Sequence, residues 1–107
     1  MINVFHGSSN VYADLGFADS REMLLKAQLA QKISQILKEK KLTQKQAGQL
    51  LKMPQSKLSK LLNGEFRGIS EMKMLECLTK LGNDVRIVVS PEKVKTPEGQ
   101  FEVIFAS

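Results

Sequence analysis

The sequence predicts a mainly α-helical domain of four or five helices, followed by a C-terminal pair of β-strands. Three observations predict it. Apolar residues recur at helical spacing through the middle of the chain. Capping and stop residues bound each of those runs. After Gly82 the period changes from 3.6 to 2. The 107 residues leave room for one domain.

Residues 1–19 carry turn chemistry (Gly7, Ser8, Ser9, Asn10), three aromatics (Phe5, Tyr12, Phe17) and no persistent period. They read as an irregular arm. Asp19 or Ser20 can cap the next segment. Leu25, Leu29, Ile33, Ile36 and Leu37 then lie on one face of a helix running to about Lys41. Lys38, Lys40 and Lys41 fall in its last turn, where the helix dipole favours cations. Thr43-Gln44-Lys45-Gln46 fits a capping box, and a short helix follows to Leu51 with Ala47, Leu50 and Leu51 on its buried face. After the tight Lys52-Met53 connection, Pro54 suits the first position of another helix. That helix turns Leu58, Leu61 and Leu62 inward and stops at Asn63-Gly64. Ser70 caps a fourth helix with the stripe Met74, Cys77, Leu78 and Leu81, ending at Gly82.

Val85, Ile87 and Val89 then alternate with Arg86, Val88 and Ser90, a strand pattern over 84–90. Residues 91–99 form a loop, and Phe101, Val103 and Phe105 mark a second strand. The organisation expected is an arm at 1–19, a helical domain at 20–83, and C-terminal strands at 84–107 that serve as a dimerisation element.

Composition narrows the function. No window approaches 18 consecutive apolar residues, so no membrane-spanning helix is expected. The N-terminus lacks the basic and apolar regions of a secretory signal. One cysteine and one histidine leave little for metal binding or His-centred catalysis. No catalytic residue, metal or cofactor is expected, and the chain reads as cytoplasmic. The net charge is +5, and it is concentrated: between Ser20 and Arg67 stand eleven basic residues and three acids. Such a middle suits a polyanion, nucleic acid above all, or is a set of solvated helix faces.

The informative stretch is LTQKQAGQLLKMPQSKLSKLLNGEF, residues 42–66. Two short helices joined by a tight turn must cross closely, and Gly48 supplies the small residue at the crossing. Leu58 and Leu61 lock the second helix inward. Its first turn is left exposed, with Gln55, Ser56 and Lys57, and one turn later Lys60. These are groups of the kind that read base edges in a major groove.

TQKQAGQLLKMPQSKLSKLLNG resembles the Cro-repressor type (XRE) helix-turn-helix along its whole length. GSSNVYADLG, KAQLAQKI and FRGISEMKMLECLTKLGNDVRIVV extend the similarity over roughly residues 7–90, closest to the HigA-like antitoxins of that family. Lys52 departs from the pattern, which often has glycine at the turn. The resemblance implies a Cro-repressor-like helix-turn-helix bundle and an operator-binding dimer that represses its own operon. It also implies a RelE-like toxin partner neutralised by direct contact.

On this reading Gln55, Ser56 and Lys60 face bases. Lys57, Gln44, Lys45, Asn63 and Arg67 face phosphates. Each has a plainer reading: an exposed helix start for Gln55 and Ser56, capping for Gln44, a helix stop for Asn63, flanking charge for Lys45. His6 reads as a solvated residue, Cys77 as core, and Met72 and Met74 as core or interface filler. A stand-alone repressor without a toxin is the alternative. A small nuclease would need clustered carboxylates, which the sequence lacks. An RNA-binding module would need aromatics in the basic segment, and there are none between Ser20 and Glu65.

Overall fold

The computed structural model describes residues 2–4, 20–94 and 98–106. Its elements are β1 (Ile2–Val4), α1 (Ser20–Glu39), α2 (Gln44–Leu51), α3 (Gln55–Leu62), α4 (Glu71–Lys80) and β2 (Ile104–Ala106). The four helices form the domain. α1 packs on α4 and α3, and α2 packs on α3 and α4. One apolar core joins them, with Leu29, Ile33, Leu51, Leu58, Leu61, Met74 and Cys77 fully enclosed. Burial pushes the Cys77 thiol above its ordinary pKa, against a smaller lowering from Lys73. No helix among the described residues is long and apolar enough to cross a membrane.

The helix ends follow the sequence closely. Thr43 is the N-cap of α2 and makes the full capping box: its hydroxyl accepts from the Gln46 N–H at 3.1 Å, and its own N–H donates to Gln46 Oε1 at 3.0 Å. Ser70 caps α4 by accepting from the Lys73 N–H. At the end of α3 the Glu65 N–H returns to the Lys60 carbonyl at 2.7 Å, with Gly64 at φ +85°. That bond needs a left-handed residue before it, which is what glycine supplies without strain.

Gly48 sits where α2 meets the start of α3. A Cβ there would lie 2.9 Å from the Met53 carbonyl oxygen, closer than side chains tolerate. The turn between the helices is made by Lys52, in the left-handed region at φ 53°, ψ 49°. A residue with a Cβ adopts that conformation at a cost of about 1 kcal/mol relative to glycine.

Four expectations need correction. Within one chain, residues 84–90 form no strand and do not pair with residues 100–106. β2 pairs antiparallel with β1, Ile2 opposite Ala106 and Val4 opposite Ile104, so the observed pair joins the two ends of the chain. Alternation marks which side chains share a face, but a strand also needs a partner for its backbone groups. The first residues, expected to be irregular, supply that partner at 2–4; the rest of the arm, 5–19, lies outside the described residues, as does the Asp19 cap. Pro54 is the N-cap of α3 and not its first helical residue, with ψ 143° still extended. Leu50 and Met72 are exposed, because each lies off the side of its helix that meets the core.

Two substitutions in the turn test this account. Gly48→Ala should lower stability by about 1–3 kcal/mol, because the new methyl meets a backbone oxygen that cannot retreat. Lys52→Gly should raise it by about 1 kcal/mol through relief of the left-handed strain. Urea melts followed by helical circular dichroism read both.

Candidate nucleic-acid interface

The crossing of α2 and α3 decides which side chains reach the surface together. Leu58 and Leu61 are buried, which turns Gln55, Ser56, Lys57 and Lys60 outward. Pro54 makes no side-chain cap, so the first turn of α3 begins with its N–H groups unclaimed by a cap. Such a helix start carries a partial positive charge and favours anions. The Gln55 stem lies over Gly48, with Cγ 3.6 Å from where a Cβ of Gly48 would stand. Gln55 therefore leans on α2 and does not sweep freely through solvent.

The loop from α3 to α4 adds the next part. Phe66 and Ile69 are buried anchors, and Arg67 and Gly68 between them are exposed. An open concavity of about 680 Å³ brings the two regions together. Ser56, Lys57 and Lys60 line it from α3, and Arg67 and Gly68 from the loop. The structure thus gathers Ser56, Lys57, Lys60 and Arg67 around one depression. Gln44 and Lys45 are exposed at the start of α2, outside this group. Asn63 is exposed at the end of α3, where its side-chain amide donates to Ser59 Oγ at 3.4 Å. Its capping role is visible in the structure, with its backbone N–H bonded to the Ser59 and Lys60 carbonyls.

Sequence reasoning missed Lys26. It is one of the eleven basic residues of the charged middle, yet the residue is 3% exposed and reaches the underside of this loop. Its signal was available in the spacing: Met23, Lys26, Ala30, Ile33 and Leu37 are all buried on one stripe of α1. A lysine within an inward stripe is a buried cation, and buried cations are paired.

The surface as described offers helix-terminal N–H groups that no side chain caps, an amide and a hydroxyl at the exposed turn, and cations at its rim. Together they suit a groove with polar edges between anionic walls.

Comparison with known proteins agrees. The sequence model of the helix-turn-helix domain family matches residues 11–90. A solved structure assigned to the XRE family of transcriptional regulators superposes with a TM-score of 0.76 at 27% identity. The match covers 82% of this chain and 99% of that one. None of the curated proteins matches.

The rim cations should act through charge alone. Lys57→Ala should weaken specific and random duplex DNA about equally, and should reduce the slope of log affinity against log salt by about 1. Fluorescence anisotropy across a salt series measures both quantities.

Proposed function

The chain belongs to the helix-turn-helix domain family and is a DNA-binding transcriptional regulator of the XRE type, and on that premise we propose how it reads its operator and with whom. α3 enters the major groove. Gln55 offers a donor and an acceptor that pair bidentately with an adenine edge; Ser56 and Lys60 take further base-edge bonds. Lys57, Gln44, Lys45, Asn63 and Arg67 hold phosphates on either side. The observation that carries this reading is the exposed, uncapped first turn of α3, with Gln55 braced on Gly48.

The regulator acts as a homodimer. One helix-turn-helix has a small footprint, and two copies meet half-sites about 34 Å apart on B-DNA. Residues 84–90 supply the contact. Among the described residues β2 pairs with β1, leaving this segment without a strand partner. Val85 packs on the core, while Ile87, Val88 and Val89 stand 77%, 80% and 90% exposed. Antiparallel pairing centred on Ile87 sets Val85 of each copy opposite Val89 of the other and covers both apolar rows. The regulator is also the antitoxin of its operon and neutralises a RelE-like toxin. The support for this is the similarity of residues 7–16, 26–33 and 66–89 to the HigA-like antitoxins.

Three measurements decide among these points. Gln55→Ala should cost roughly 1–3 kcal/mol on the operator and relax preference at one base position, with non-specific binding unchanged. An unchanged operator-to-scrambled ratio after Gln55→Ala and Ser56→Ala together would falsify base reading by α3. Ile87→Asp should convert a dimer to a folded monomer by light scattering; a persistent dimer would reject the 84–90 contact. Co-purification with the product of the neighbouring gene tests the antitoxin role, and its failure leaves a stand-alone repressor.

A further inference from the structure

Lys26 occupies a core position on α1, yet its ammonium group is held by one hydrogen bond and two ion pairs. Nζ donates to the Arg67 carbonyl at 2.8 Å. It also lies 3.2 Å from Glu22 Oε1, one turn back on α1, and 3.5 Å from Glu71 Oε1, the first residue of α4. That Glu71 oxygen is buried and has no hydrogen-bond partner, so the Lys26 charge is what compensates it. One hydrogen bond and two ion pairs surround the charge, which is the condition for tolerating a buried ammonium.

The fold alone does not call for this charge. Phe66 and Ile69 already fasten the α3–α4 loop to the core from both sides of Arg67. An apolar side chain of similar length at position 26 would fill the stripe without the desolvation that a buried cation carries. Lys26 adds one thing that apolar packing cannot: a directed bond on the Arg67 backbone. The Arg67 carbonyl is turned inward and held, while the Arg67 side chain stays exposed beside Ser56, Lys57 and Lys60.

We propose that Lys26 is a positioning residue for DNA binding. From beneath the surface it fixes the backbone of Arg67, so that the guanidinium meets a phosphate without first paying to order the loop. Glu71 ties the same ammonium to the start of α4, which sets the loop's far end in the same frame. The inference rests on the reading of α3 and the loop after it as the DNA-contacting surface.

The test is a double-mutant cycle on the full chain, with operator binding read by anisotropy across a salt series and folding by circular dichroism. Arg67→Ala should weaken binding about tenfold or more, as expected for a lost charge-assisted bond, and lower the salt slope by about 1. Lys26→Met should lose stability, because the buried Glu71 oxygen loses its counter-charge, yet stay folded and reproduce most of that loss of binding. The double variant should bind about as well as Arg67→Ala alone, because the two changes remove one contact. A merely structural role would instead make the two losses multiply, and that result overturns the proposal. A weakened Arg67→Ala beside an undiminished Lys26→Met overturns it too, leaving the interface reading intact. An undiminished Arg67→Ala overturns both. Should Lys26→Met fail to fold, the ammonium resonance of Lys26 in the wild-type chain carries the question. DNA titration should shift it, and an unmoved resonance overturns the proposal.

Discussion

The close approach of the Met53 carbonyl to Gly48 is the constraint on which the rest of the structure depends. α2 and α3 have eight residues each, too few to be stable alone. They hold only because they cross and share a core. The Met53 N–H donates to the Gly48 carbonyl at 2.9 Å, and the Met53 carbonyl then passes over the face where a side chain would stand. That contact fixes the angle at which α3 leaves the turn. The angle in turn puts Leu58 and Leu61 in the core and Gln55, Ser56, Lys57 and Lys60 outside it. Lys52 carries a backbone strain so that the chain can turn sharply enough for the contact to form.

Among the described residues the core is apolar with one charged exception, and the exception lies under the basic face. Lys26, Glu22 and Glu71 bring two carboxylates and one ammonium together beneath Arg67. Ion pairs between a buried ammonium and partly exposed carboxylates add little net stability, since desolvation of the ammonium offsets the attraction. The effect of the cluster is geometric: it joins α1, the α3–α4 loop and the first turn of α4 at a single point. Lys80 does something similar from the other end of α4, donating to the Leu51 carbonyl at the end of α2 at 3.3 Å. α4 is thereby tied both to the turn between α2 and α3 and to the loop that follows α3.

The ends of the chain follow a different logic. β1 and β2 are three residues each and pair with one another, and a two-stranded sheet of that size is marginal alone. β2 gains support from the body: Val103 and Phe105 pack against the core, and the Lys32 ammonium lies 5.5 Å from the centre of the Phe105 ring. The segment 84–90 has the stronger strand chemistry and no partner among the described residues. An exposed row of β-branched side chains with open backbone groups is a surface that proteins ordinarily cover.

Local chemistry was legible in the sequence wherever a few neighbouring residues decide the outcome. Thr43 with Gln46, Ser70, Asn63-Gly64 and the crossing glycine all behave as their residue types dictate. So do the inward leucines of α3, and with them the exposure of Gln55, Ser56, Lys57 and Lys60. What the tertiary structure decided were matters of partnership between distant residues. Alternation at 84–90 and 101–105 gave two candidate strands, but pairing depends on which backbone arrives alongside, and β2 met residues 2–4. The burial of Lys26 is decided at long range too: composition cannot show that an acceptor 41 residues away and a carboxylate on another helix close around it. Arg67 likewise joins Lys57 and Lys60 at one depression only because the loop folds back over α3. Short-range rules choose the elements and their exposed faces; long-range contact chooses which faces meet.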